Sequence, residues 1–245
     1  MRGVRALLQG FELLLTPGLK RFVLIPVAVN IAVFIMLVMT LLGWLGGWVV
    51  MAAEFLPSWL DWLTWLIQPL AFVVALILFV FGFTVINGFI AAPFYGVLAE
   101  KVEQHLDPSA VIPAETLGSM IIRTLRRELS KWLWYIPRAL LILAISLVPI
   151  INLISPFLWL GFGAWVMVIE YRDYLNDNHG RELSLTREQA WDEPIDSGVF
   201  GLLVLMLISI PLVNLLVPSA AVAGATAWGV QNRERATLTQ IPQQS

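Results

Sequence analysis

The amino-acid sequence predicts an all-α integral membrane protein: two long transmembrane helices, two re-entrant helical hairpins that cross half of the bilayer, and interfacial amphipathic helices. Three observations carry that reading. Hydrophobic residues make up 59% and charged residues 13% of the 245, with a mean hydropathy of +0.82, well away from a soluble domain. All 15 Lys and Arg lie outside Phe22 to Glu100, a bias that places the basic flanks of the spans on the cytoplasmic face. The frame P-x-x-N-L-x-x-P occurs at Pro149 to Pro156 and again, 62 residues on, at Pro211 to Pro218, each time in mid-apolar sequence. No Ser/Gly-rich linker divides the chain, so one membrane domain over residues 1–245 is expected.

Residues 3–15 alternate Val4, Leu7, Leu8, Phe11, Leu14 and Leu15 with Arg5, Gln9 and Glu12, the period of an amphipathic helix lying in the interface. Glu12 and the lack of a small-residue cleavage site before Pro17 argue against a signal peptide. Thr16 then reads as an N-cap and Pro17 as the first residue of a first span over 17–50, long enough to tilt. Met51 to Trp65 has Trp59, Trp62 and Trp65 but no cation, so it reads as the non-cytoplasmic connection with an aromatic belt. A second span over 66–106 returns the chain and continues past Asn87, Pro93 and Tyr95 as an amphipathic helix, ending at Asp107-Pro108.

An amphipathic helix follows at 114–137. Leu117, Ile121, Leu125, Leu129, Trp132 and Ile136 share one face, and Arg123, Arg126, Arg127 and Lys131 lie largely elsewhere. The basic stripe suits either anionic lipid head groups or the lining of an anion path. Around each Pro-Asn frame the apolar arms are 10 to 13 residues long, only ~15–20 Å as helices, too short to cross ~30 Å of hydrocarbon. Re-entrant hairpins at 139–169 and 199–230 follow, with Asn152 and Asn214 at their tips either capping the non-helical backbone or touching a permeating ion. Half-spanning hairpins need partners to cover them, so a homo-oligomer is expected. Between the hairpins, Tyr171 to Ile195 reads as a solvated polar segment with a turn at Asn178-His179-Gly180 and a Thr186-x-x-Gln189 capping box, and the tail after Gln231 reads as frayed. His105 and His179, each alone in a polar stretch, read as surface histidines.

The chemistry concentrates at Thr16 to Arg21. Unpaired amides at a helix start, a close-approach glycine at Gly18 and the cations Lys20 and Arg21 suit a small anion; the competing reading is that the two cations only mark the membrane edge. Glu100, Glu103 and Asn87 divide likewise between polar function and a solvated or packed helix face. The absence of cysteine excludes thiol chemistry and disulfides, and no phosphate loop, dinucleotide fingerprint, zinc motif or nucleophile elbow occurs, so neither enzyme activity, cofactor nor metal is expected, and no nucleic acid partner.

Three motifs together carry a resemblance: Pro17 to Arg21 (P-G-L-K-R), Ile86 to Glu103 (I-N-G-F-I-A-A-P-F-Y-G-V-L-A-E-K-V-E) and the paired P-x-x-N-L frames. In this order, from about Arg5 to Asn232, the chain resembles the CysZ family of bacterial sulfate permeases. The resemblance implies a multi-pass inner-membrane oligomer among lipids that imports sulfate for cysteine synthesis without hydrolysing nucleotide. It places sulfate at Gly18, Leu19, Lys20 and Arg21, where Lys20 stands in for the arginine expected of many relatives and supplies a point charge in place of a planar fork. A path past Glu103, Arg123 and Arg127, gated by ion pairs among them, would then carry the anion inward. The reading set against it is a non-transporting scaffold that organises lipids or partners.

Overall fold

The computed structural model describes residues 1–54, 64–210 and 213–240, and every element among them is helical: α1 Arg2–Leu14, α2 Lys20–Glu54, α3 Thr64–Leu106, α4 Leu117–Ser146, α5 Ser155–Asn178, α6 Leu183–Asp192, α7 Pro194–Ile208 and α8 Val217–Gln240. Trp59, Trp62, Pro211 and Leu212 lie outside the described residues. The chain forms two compact units, Met1–Ile25 with Ala92–Ser245, and Pro26–Ala91.

Pro26–Ala91 holds the most apolar lengths of α2 and α3. Phe34 and Phe79 meet edge to face with ring centroids 5.9 Å apart, while Met36, Met39, Leu76, Ile77 and Leu78 stand exposed. By length and composition, Lys20–Leu41 and Ile151–Asn178 are both able to cross a membrane.

The other unit is organised around α8, whose Val217, Ala220, Ala221, Val222, Ala223 and Ala227 are fully buried. α1 packs on α8: Gly3, Ala6, Leu7, Gly10, Leu13 and Leu14 are buried, and the helix crosses α8 backbone to backbone. A Cβ at Gly10 would sit 2.0 Å from the Ala220 carbonyl oxygen, and one at Gly224 2.1 Å from that of Ala6. Small residues four apart on both helices, Ala6/Gly10 and Ala220/Gly224, make that approach possible. The amphipathic period of α1 was legible, but the small residues and not only the large ones form its buried face.

Two helical hairpins, α4–α5 and α7–α8, stand where the repeated frame lies. Their tips repeat in backbone detail: the Asn152 amide donates to the Val148 carbonyl at 3.0 Å and the Asn214 amide to the Ile210 carbonyl at 2.8 Å, the same bond 62 residues apart. Both asparagine side chains are exposed, and the bonds they bring to the tip come from their main-chain N–H groups. Beyond the tip, α5 is apolar to Ile169 and then carries Glu170, Arg172, Asp173 and Asp177, so the apolar arm is about half of a 24-residue helix.

The boundaries of α4, α6 and α8 differ from the sequence reading. α4 runs through Pro137 without a break, joining the amphipathic segment 114–137 to the first arm of the hairpin. Proline removes one ladder N–H, and beside it the Arg138 Nη1 donates to the Trp134 carbonyl at 2.8 Å. α6 begins at Leu183, so Thr186 and Gln189 lie inside the helix and form no capping box. α8 continues to Gln240, where the sequence reads as frayed after Gln231.

Candidate functional site

The head of α2 is built by a turn. The Leu19 amide donates to the Thr16 carbonyl at 3.1 Å, with Pro17 and Gly18 between them and Gly18 at φ +96°. Proline then glycine at positive φ is the chemistry of a type II turn. The helix therefore starts at Lys20, three residues later than Thr16 and Pro17 predict. Leu19 is buried and anchors the turn in the core, while Lys20 and Arg21 are exposed. Arg21 lies over the Phe22 ring at 4.7 Å, and the Phe22 amide donates to the Leu19 carbonyl at 2.9 Å. Among the described residues the amides of Lys20 and Arg21 have no acceptor, so the helix offers two N–H donors and two cations at its positive end.

Of the remaining predicted polar residues, Glu103, Arg123 and Arg127 fall in one band, buried at Glu103 and half-buried at the two arginines, between the end of α3, α4, α5, α6 and α8. Its floor is an inversion. The apolar stripe of α4 faces outward, with Leu117 74%, Leu129 53% and Ile136 47% exposed, whereas Thr124, Glu128, Lys131 and Tyr135 are buried against α5. An ordinary amphipathic helix in water does the reverse. Arg127 grips Asp173 with two parallel bonds, Nε to Oδ2 at 2.8 Å and Nη2 to Oδ1 at 2.7 Å, the strong fork geometry. Arg123 pairs with Asp177 and, at 2.6 Å, with Glu115. Asp173 also accepts from Thr186 Oγ1 at 2.7 Å, and the Asn176 amide donates to both Thr186 and Gln189 at 2.9 Å.

Glu103 is wholly buried, with its carboxylate 2.9 Å from His179 Nε2 and 2.7 Å from Arg233 Nη1. The expected partners of Glu103, Arg123 and Arg127, are instead paired with carboxylates of α5 and, for Arg123, Glu115. His179 is thus a half-buried network member and not a surface histidine, and Tyr171 to Ile195 is not a solvated face: Arg172, Asp173, Asn176, Asp177 and Asn178 are all buried. The turn at Asn178-His179-Gly180 is present, with Gly180 at φ +65°, and Asn178 donates to the Gly96 carbonyl at 2.8 Å. Sequence reasoning missed Asp173, Asp177 and Arg233 as partners. The available signal was the i, i+4 spacing of Asp173 and Asp177, matched by Arg123 and Arg127 on α4. The Asn87 side chain is outside the described residues.

Lys131 is likewise buried, 1% exposed, with its Nζ 2.6 Å from Glu128 Oε1, 3.1 Å from Glu170 Oε2 and 4.9 Å from the Tyr174 ring centroid. Burial pushes the Glu128 carboxyl up to about 8, helped by the Glu170 charge and opposed by Lys131. Burial alone would lower Lys131, but Glu170, Glu128 and Asp173 outweigh it and hold the ammonium charged. A carboxyl whose folded-state pKa is raised stabilises the fold fully below its unfolded value of 4.5 and loses that contribution as pH rises through about 8. Thermal midpoints in detergent are therefore expected to fall between pH 5 and pH 8, and Glu128→Gln to flatten that fall; an unchanged slope in the variant would assign it to another group.

The fold and this band define the class: an all-helical protein with helices long and apolar enough for a membrane, buried ion pairs and a cationic helix head. The chain belongs to the sulfate transporter CysZ/etoposide-induced protein 2.4 family, whose model matches residues 6–218. It is 40% identical to the sulfate transporter CysZ of Pseudomonas aeruginosa strain PAO1, covering 97% of this chain and 98% of the relative. It is 39% identical to that of Pseudomonas fluorescens strain Pf0-1 (95% and 94% covered) and 36% identical to that of Salmonella paratyphi A (93% and 91%). These relatives are transporters and not enzymes, and the chain is accordingly a membrane protein.

Proposed function

We propose that this protein is a permease that imports sulfate across the bacterial inner membrane for assimilation into cysteine, capturing it at Gly18, Leu19, Lys20 and Arg21 and using no nucleotide hydrolysis of its own. The observation that carries the proposal is the head of α2, where a Pro17-Gly18 turn leaves two amides without acceptors next to two exposed cations and a buried Leu19. Amides, helix dipole and cations together favour a tetrahedral dianion. A site made only of donors disfavours hydrogen phosphate, whose protonated oxygen would face a donor. Lysine at position 20 contributes a point charge, and Arg21 the planar fork.

In this reading the ion pairs of Glu103, Arg123 and Arg127 form a gate below the capture site, and the passing anion competes with Asp173, Asp177 and Glu103 for their cations. The outward apolar stripe of α4 supports immersion in lipid or cover by further copies of the chain, since water would leave it uncompensated. A scaffold organising lipids would share that stripe but needs no ordered turn presenting unpaired amides.

The test is equilibrium binding of labelled sulfate to the detergent-purified protein. Lys20→Ala with Arg21→Ala is expected to weaken binding about 100-fold or more, since a hydrogen bond to a charged group is worth ~1.5–3 kcal/mol. Phosphate and chloride are expected to compete poorly. Sulfate binding that survives the double substitution, or no saturable binding in the intact protein, would remove this site and favour the scaffold.

A further inference from the structure

A second polar concavity lies in the α5–α6–α8 region, away from the head of α2 in sequence and in its residues. It is a cavity of about 350 Å³ whose lining includes Arg172, Arg181, Arg233, Asp192 and Glu193. That volume is at the lower end of sites that hold small organic molecules. Its charges are mixed and arranged by depth.

Arg172 belongs to the floor. It is 6% exposed, stacks over Trp228 at 4.3 Å, and spends Nη1 on Ser197 Oγ at 3.1 Å and the Gln189 carbonyl at 3.3 Å. Among the described residues it has no ion-pair partner, and its Nε and Nη2 hydrogens have no acceptor. A buried guanidinium with no carboxylate in direct contact is costly to keep charged, and burial lowers the Arg172 pKa even though Glu193 and Asp192 oppose it from a distance. At the mouth, half-buried Arg181 has one long contact, 3.4 Å to Asn176 Oδ1. Asp192 is exposed on the same rim, and Glu193, half-buried, is held there by Arg2 and by Asn232 at 3.2 Å.

A bare dianion would meet the two rim carboxylates as well as the arginines. A molecule with a carboxylate at one end and an ammonium group at the other satisfies both. From this juxtaposition of an unpaired buried arginine with an acidic rim we infer that the cavity is a binding site for a small zwitterionic amino acid. Its carboxylate is received by Arg172 and Arg181 and its ammonium by Asp192 and Glu193. The ligand would bridge α5, α6 and α8, next to the Asn176–Thr186–Asp173 chain that holds Arg127.

The test is isothermal titration of the detergent-purified full chain with L-serine, with acetate, ethylamine and sodium sulfate as single-charge and dianion probes. L-serine is expected to bind saturably, at least ten times tighter than acetate or ethylamine. Arg181→Gln and Asp192→Asn, both at the rim and outside the core, are each expected to weaken it at least tenfold with unchanged melting temperature. The Lys20→Ala, Arg21→Ala protein is expected to bind serine normally, which separates this cavity from the proposed sulfate site. Sulfate binding tighter than serine and dependent on Arg181 would overturn the inference in favour of a simple anion site. Absence of serine binding to the intact protein would overturn it outright.

Discussion

Lys131→Ala is expected to destabilise the protein by about 3–5 kcal/mol, the usual cost of removing one partner from a buried ion pair. In a chain of this size that corresponds to a fall of the melting temperature in detergent on the order of 10 °C. The reason is local. Lys131 is the cation of a pocket otherwise made of Glu128, Glu170 and the face of Tyr174, and its removal leaves Glu170 with only the Tyr174 hydroxyl at 3.2 Å. Because the charge left behind causes the loss, Lys131→Met combined with Glu170→Gln is expected to recover more than half of it. A single substitution costing less than about 1 kcal/mol, or no recovery in the double variant, would show that the cluster does not hold α4 to α5. The sulfate binding proposed for the head of α2 serves as the control, since Lys131 is not part of that turn.

At the crossing of α1 and α8, Gly10→Ala and Gly224→Ala are each expected to cost at least about 2 kcal/mol, the scale of an overpacked contact. On helix propensity alone each change would gain up to ~1 kcal/mol. Geometry reverses the sign, because the added Cβ would lie 2.0 Å from one main-chain oxygen and 2.1 Å from the other, and backbone cannot move aside as a side-chain tip can. The two helices must part, and once parted the second substitution costs less, so the double variant is expected to fall short of the sum of the singles. Gly118→Ala, at a position with nothing within 4 Å, is the control and is expected to be neutral or slightly stabilising. Denaturation midpoints and the rate of proteolysis in α1 measure both. Additive, small effects at Gly10 and Gly224 would mean that the close crossing is not maintained in the folded protein.

The legible part of this protein is what periodicity and composition encode locally. The start and stop of α1, the stop of α3, the apolar lengths of α2 and α3, and the 62-residue repeat that became two hairpins with the same tip hydrogen bond could all be read from spacing. The Pro17-Gly18 pair announced a special backbone, although read as a helix entry when it is a turn, because both features begin with the same residues and only φ at Gly18 separates them.

Partner choice was not legible. Arg123, Arg127 and Glu103 were identifiable as polar groups with work to do, yet the sequence does not say that Arg127 would take Asp173, 46 positions away, and Glu103 would take Arg233, 130 away. Nor does it say which face of α4 turns inward. The 3.6-residue period places Leu117, Ile121 and Leu125 opposite the cations whether the surroundings are water or lipid, and the direction follows only when Asp173 and Glu170 of α5 supply the counter-charges. Periodicity is a property of one helix and is carried by its own residues. Polarity of burial and ion-pair identity are properties of two helices, and tertiary packing alone brings those residues within 3 Å of each other.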